Sequence, residues 1–159
     1  LSGDVLLPFV DAWSIDIEAP PRVVWDAVLA FAPGATPSVW LRAFAWLWRA
    51  RPAASNGLAS HVLGAERPGF AVSMVVPPAT YALAGRHRFA RYQLVFRIGQ
   101  RGPGQSRLTA ETYATFPGTA GRLYRMLLMD ARLHGLVMWA MVRLVRRRAE
   151  ANARRQGET

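Results

Sequence analysis

Proton chemistry in this 159-residue chain falls mainly to three histidines and ten carboxylates, because there is no cysteine. Without thiols, disulfides, thiolate-zinc sites, iron–sulfur clusters and cysteine nucleophiles are all excluded. The histidines stand at 61, 87 and 134, scattered and without a carboxylate cluster beside them, so their spacing supports no metal site. No cofactor is expected. The glycine-rich run GQRGPG, 99 to 104, lacks the strand-to-helix setting of a phosphate loop and reads as a hairpin turn.

His87 is the best-placed histidine. It lies between Arg86 and Arg88, whose cations lower its proton affinity if they are near, so it can serve as a neutral base or as a ligand's hydrogen-bond partner. The run RHRFAR can equally be the hairpin turn itself, which makes His87 a solvated rim residue. Glu111 shares a strand face with Thr109 and Tyr113. If that face looks inward, burial raises the carboxyl pKa and suits it to general acid or base work. If the small residues Ala110, Thr112 and Ala114 look inward instead, they leave room for a helix and a ligand. Glu111 is then a surface charge paired with a neighbouring cation such as Arg97, and this arrangement is favoured. Asp130 and His134 are four apart on a predicted helix and share a face. An Asp that orients a His is a catalytic arrangement, but no serine nucleophile is nearby in sequence, and the simpler reading is a polar pair capping one end of a cavity.

The elements that would position these groups follow from periodicity. Residues 12 to 18 alternate Trp13, Ile15 and Ile17 against Ser14, Asp16 and Glu18, a half-buried strand. Pro20-Pro21 starts a helix carrying Val24, Val28 and Phe31 on one face, up to Pro33-Gly34. A second helix runs from Thr36 to about Ala50, with Trp40, Phe44, Leu47 and Trp48 on its apolar face and Trp46 among Arg42 and Arg49. That Trp fits either a membrane interface or gate, or a cation–π contact on an ordinary surface. Short strands follow: 58 to 65; Phe70 to Val76; one bearing Tyr81, Leu83 and Gly85; one bearing Tyr92, Leu94, Phe96 and Ile98; and Leu108 to Phe116. A helix over 120 to 129 and a longer one from Asp130 close the chain, with Gly135 as a candidate kink. On the long helix Leu133, Leu136, Val137, Ala140, Met141, Leu144 and Val145 take the i, i+3, i+4, i+7 positions.

With 52% hydrophobic and 19% charged residues the chain can bury a real core, and its length fits one domain, 1–159, with 1–10 and 153–159 as flexible ends. The net charge of +10 comes entirely from Arg, a choice over Lys that looks like the codon bias of a GC-rich genome. The charge favours anionic surfaces. Its concentration at Arg143, Arg146, Arg147, Arg148, Arg154 and Arg155 reads either as a solvated helix end or as a peripheral contact with anionic membrane. Nucleic acid is disfavoured, because no base-reading motif accompanies the patch. No membrane span is predicted, since the most apolar stretch, 123 to 145, is broken by Arg125, Asp130, Arg132, His134 and Arg143. The chain begins at Leu1 rather than Met, so something is expected to be trimmed ahead of it. The absence of Cys fits a reducing cytoplasm, the expected location.

The segment WSIDIEAPPRVVW, Trp13 to Trp25, resembles the first strand, Pro-containing turn and first helix of the helix-grip superfamily (SRPBCC), which includes START-like, polyketide cyclase/dehydrase and plant pollen-allergen-like proteins. GRHRFARYQLVFRI followed by SRLTAETYATFPGTAGRLYR resembles the last hairpin of bacterial members and the start of their long helix. The resemblance implies an α+β fold in which about seven antiparallel strands curve around a C-terminal helix and enclose a cavity for lipids, polyketides or other apolar molecules. It implies no particular reaction. By parity, such a cavity is lined by Phe70, Val72, Met74, Tyr81, Leu83, His87, Phe89, Tyr92, Leu94 and Phe96, with Leu133, Val137 and Met141 opposite. The same residues could instead form a filled core. The expected function is binding of a small hydrophobic or aromatic ligand. The alternative is a cyclase/dehydratase-like enzyme in which His87, Tyr81, Tyr92 or Glu111 handles protons. The apolar circumference of the long helix leaves a homodimer contact open.

Overall fold

The computed structural model describes residues 7–31, 50–52, 54–59, 61–126 and 133–157, with the side chains of Tyr124 and Leu133 outside that description. Strand β1 (Phe9–Ile17) turns through Pro20 into helix α1 (Pro21–Phe31), whose Val24, Ala27 and Val28 are fully buried. After the loop come β2 (Glu66–Arg67), β3 (Phe70–Val76), β4 (Thr80–His87), β5 (Ala90–Gly102) and β6 (Gln105–Thr115). Two helices finish the chain, α2 (Gly118–Arg125) and α3 (Leu133–Gly157). The predicted helix over 36–49, with Trp40, Phe44 and Trp46, lies outside the described residues.

The strands form one antiparallel sheet in the order β1-β6-β5-β4-β3-β2. Successive hairpins build β3 through β6, and β1 then pairs with the last strand, so the first and last strands of the sheet meet. Helix α3 packs on α1, β1 and β6, while α1 reaches β5 and β6. Ile17, Leu108, Phe96, Val24, Val28, Val145 and Ala149 fill the space between them, each 1% exposed or less. At roughly 1.5–3 kcal/mol for each large apolar side chain removed from water, this layer dominates the stability. Ser106 is also fully buried, and its hydroxyl donates to the Ala19 carbonyl at 2.7 Å, tying β6 to the β1–α1 turn. No helix among the described residues is long and apolar enough to cross a membrane.

Several expectations are corrected. Six strands are found among the described residues, against about seven implied by the resemblance. Residues 58–65 do not form a strand. Asn56 closes that segment into a loop, its Oδ1 accepting from the Leu58 and Glu66 amides and its Nδ2 donating to the Gly64 carbonyl, and Gly57 and Gly64 adopt φ of 80°. Strand β1 begins at Phe9 and α3 continues to Gly157, so both run into the stretches read as flexible ends.

Met74 is 44% exposed rather than inward. A bulge between Val72 and Met74 inserts one residue opposite β4, reverses the parity, and sets Val75 across from Tyr81 on the core side. On α3 the buried stripe is Met138, Met141, Val142, Val145 and Ala149. Val137 is 60% exposed, and Leu136 and Leu144 are exposed with it. The helix is apolar on most of its first half, so either stripe satisfies the periodicity, and its seat across β1, β6 and α1 selects one. Only Met141 and Val145 belong to both.

Candidate functional site

The inner face of the sheet is unevenly covered. Its middle, under α1 and the C-terminal half of α3, is the filled core. Tyr81 is 1% exposed, with Trp25 edge-on to it at 6.0 Å and Phe96 beside it at 6.4 Å. Leu83, Val72 and Met141 are buried in the same cluster. Burial pushes the Tyr81 phenol up to about 12, so it keeps its proton throughout the ordinary pH range.

Toward the β4–β5 turn the same face grows more open. Register places Leu83, Leu94 and Thr112 in one row across β4, β5 and β6, then Gly85, Tyr92 and Ala114 in the next, then His87 opposite Ala90. Small residues at 85, 90 and 114 flank Tyr92, whose ring covers Gly85. Its hydroxyl donates to the Gly69 carbonyl at 2.6 Å, and a Cβ at Gly85 would run into that carbonyl and the ring. Phe70 meets Tyr92 at 5.4 Å between centroids, His87 meets Tyr92 at 5.5 Å, and Phe89 meets His87 at 6.3 Å. Four half-buried rings thus run continuously from β3 to the hairpin tip.

His87 is the last residue of β4, and the turn is Arg88-Phe89. It lies on the inner face, at its rim, so both sequence readings are partly met. Its Nδ1 accepts the Phe89 amide at 3.1 Å, which leaves the proton of the neutral ring on Nε2. Burial holds its pKa below the usual histidine value. The Arg neighbours are not the cause: Arg86 falls on the opposite strand face, and the exposed Arg88 lies over the Phe89 ring at 5.4 Å.

Glu111 is on the outer face. Both its oxygens accept from Arg97 Nε at 3.0 Å, and Oε2 also accepts from the Tyr113 hydroxyl at 2.9 Å. The inward residues of β6 are Ser106, Leu108, Ala110, Thr112 and Ala114, and Glu111 is apart from the ring cluster. Leu133 opens α3, with its side chain outside the described set, as is Asp130.

His134 has a partner that the sequence reading missed. Its Nε2 lies 3.4 Å from Asp11 Oδ1 and 3.3 Å from Thr112 Oγ1, while Trp13 Nε1 donates to Asp11 Oδ2 at 3.1 Å. Asp11 could have been found: extending the β1 alternation by one step puts it on the face of Trp13, Ile15 and Ile17. The strand had been started at Ala12, one residue too late. This polar group sits at the junction of β1, β6 and α3, in the Leu94–Thr112 row. Among the described residues no three carboxylates or histidines gather where they could hold a metal ion.

No protein-family model matches the chain, and no curated protein matches it. Solved structures do. Norcoclaurine synthase from Thalictrum flavum, a point mutant in complex with a transition-state analogue, is similar over 92% of this chain and 98% of its own, with a TM-score of 0.56 and 10% identity. A conserved protein from Geobacillus kaustophilus matches over 91% and 94%, with a TM-score of 0.50 and 14% identity. The Aha1 dimer from Colwellia psychrerythraea matches over 87% and 94%, with a TM-score of 0.50 and 16% identity. At such identities the likeness is one of architecture. With an antiparallel sheet whose first and last strands pair beneath a long C-terminal helix, the chain has a helix-grip fold, shared with the norcoclaurine synthase structure.

Proposed function

We propose that this protein binds a small hydrophobic or aromatic molecule on the open half of its inner sheet face, among Phe70, His87, Phe89, Tyr92 and Leu94. The observation that carries this reading is the continuous row of half-buried rings beside a filled core. A site of this kind is mostly apolar with a few fixed polar groups. Here those groups are the His87 ring, neutral near pH 7, and the Thr112–His134–Asp11 cluster at the far end of the Leu94 row. An aromatic ligand suits the His87, Phe89 and Tyr92 rings.

The same histidine supports a second reading, proton transfer in a cyclase or dehydratase-like reaction, because a neutral imidazole held through Nδ1 is poised as an acid–base group. Native mass spectrometry and thermal shift against a panel of lipids and polyketide-like aromatics test both. Binding is expected to raise the melting temperature, and His87→Ala to weaken it up to about ten-fold, as for loss of one aromatic contact. No shift with any compound would sink the binding reading. Turnover of a bound compound that His87→Ala abolishes, with the melting temperature unchanged, favours the enzyme.

A further inference from the structure

Helix α3 turns a second face outward, and its composition is divided along its length. The first half exposes Leu136, Val137, Trp139 and Leu144. The second half exposes Arg147, Arg148 and Arg154. At 3.6 residues per turn, Leu136, Ala140, Arg143, Arg147 and Arg154 fall within about 60° of one another, so apolar and cationic parts continue one stripe. The Arg143 guanidinium lies over the Trp139 ring at 4.5 Å, where the two halves meet. The one acid of the helix, Glu150, already accepts from Arg146 at 2.8 Å and from the Glu18 amide at 3.3 Å.

We propose that this face docks on an anionic phospholipid bilayer. The reading is independent of what the inner sheet face binds. A surface with exposed Leu, Val and Trp at one end and unopposed arginines at the other matches the layering of a lipid interface, acyl chains below and phosphates above. The Arg143 guanidinium over the Trp139 ring sets a cation directly beside the apolar end, as at the boundary between acyl chains and headgroups. The helix would approach with its N-terminal end deeper. A second copy of the chain fits less well, because an antiparallel two-fold contact through the apolar half would leave the arginines of both copies without a counterpart, which an anionic surface supplies. Nucleic acid would use the arginines but leave the apolar half idle, and the Trp139 ring is occupied by Arg143 rather than open for stacking.

The test is flotation of the full chain with phosphatidylcholine vesicles, with and without phosphatidylglycerol, at low and high salt. Binding is expected only to the mixed vesicles, with release at high salt. Arg147→Ala and Arg148→Ala should each weaken partitioning about five-fold. The pair Leu136→Ser with Trp139→Ala, both at exposed positions, should weaken vesicle binding while leaving the melting temperature and retention on an oligonucleotide unchanged. Failure to bind mixed vesicles at low salt overturns the proposal. So does wild-type vesicle binding by the apolar pair variant, which reduces the patch to a general polyanion contact. A concentration-dependent dimer abolished by Leu136→Ser assigns the face to a second copy instead.

Discussion

His87 owes its protonation state to depth. The ring is held below its ordinary pKa of 6.5 by burial, so between its folded value and 6.5 the unfolded chain binds more protons than the folded one. Its contribution is therefore intact above about pH 6.5 and is lost as the pH falls below that value. The expected outcome is a melting temperature that declines on mild acidification, and a His87→Gln variant in which that part of the decline is flattened. The carboxylate whose pKa is clearly lowered, Asp16, acts in a separate window below 3.8, through its bond to Arg107, and does not confuse the measurement. Tyr81 and Glu111 illustrate the opposite outcomes of position. One is a phenol sealed in the core that keeps its proton; the other is a carboxylate committed to Arg97 on the outer face.

At the scale of elements, β4 and β5 hold the ring row in place through one glycine. Because any Cβ at Gly85 meets the Gly69 carbonyl and the Tyr92 ring, Gly85→Ala should break the Tyr92 hydroxyl bond or displace the ring. A loss of about 1–3 kcal/mol by urea unfolding is expected, with weaker ligand binding from the same change. Strict alternation marks the inward sets of β4 and β5, Tyr92 and Leu94 among them, whereas on β6 it allows either Glu111 or Thr112 to face inward, and only the packing of the strand selects Thr112. Met74 could not be placed, because a bulge leaves no composition signal in a strand as uniform as VSMVV. Val137 failed for a related reason: a helix apolar nearly all round does not say which side meets the sheet. Asp11–His134 was illegible as a pair because periodicity carries no information across the chain. Asp130, the acid at helical spacing from His134, lies outside the described residues.

In the molecule as a whole, α3 is secured very differently at its two ends. Val145 and Ala149 are fully buried against α1 and the sheet. Val145→Ala should cost about 2 kcal/mol in urea unfolding. At the other end Gly135 rests on Trp13, where a Cβ would stand 3.0 Å from the indole, and His134 reaches Asp11 and Thr112 at 3.3–3.4 Å. His134→Ala should cost only about 1 kcal/mol.

Mechanically, then, the long helix is a beam clamped at its C-terminal half and merely latched at its start. The latch adjoins the open half of the sheet. Lifting it gives up the two long hydrogen bonds of His134 and the contact of Gly135 with Trp13, whereas lifting the clamp exposes Val145 and Ala149 of the core. A tilt about the clamp would therefore widen the space beside the latch at a cost set there, while the centre of the protein keeps its packing.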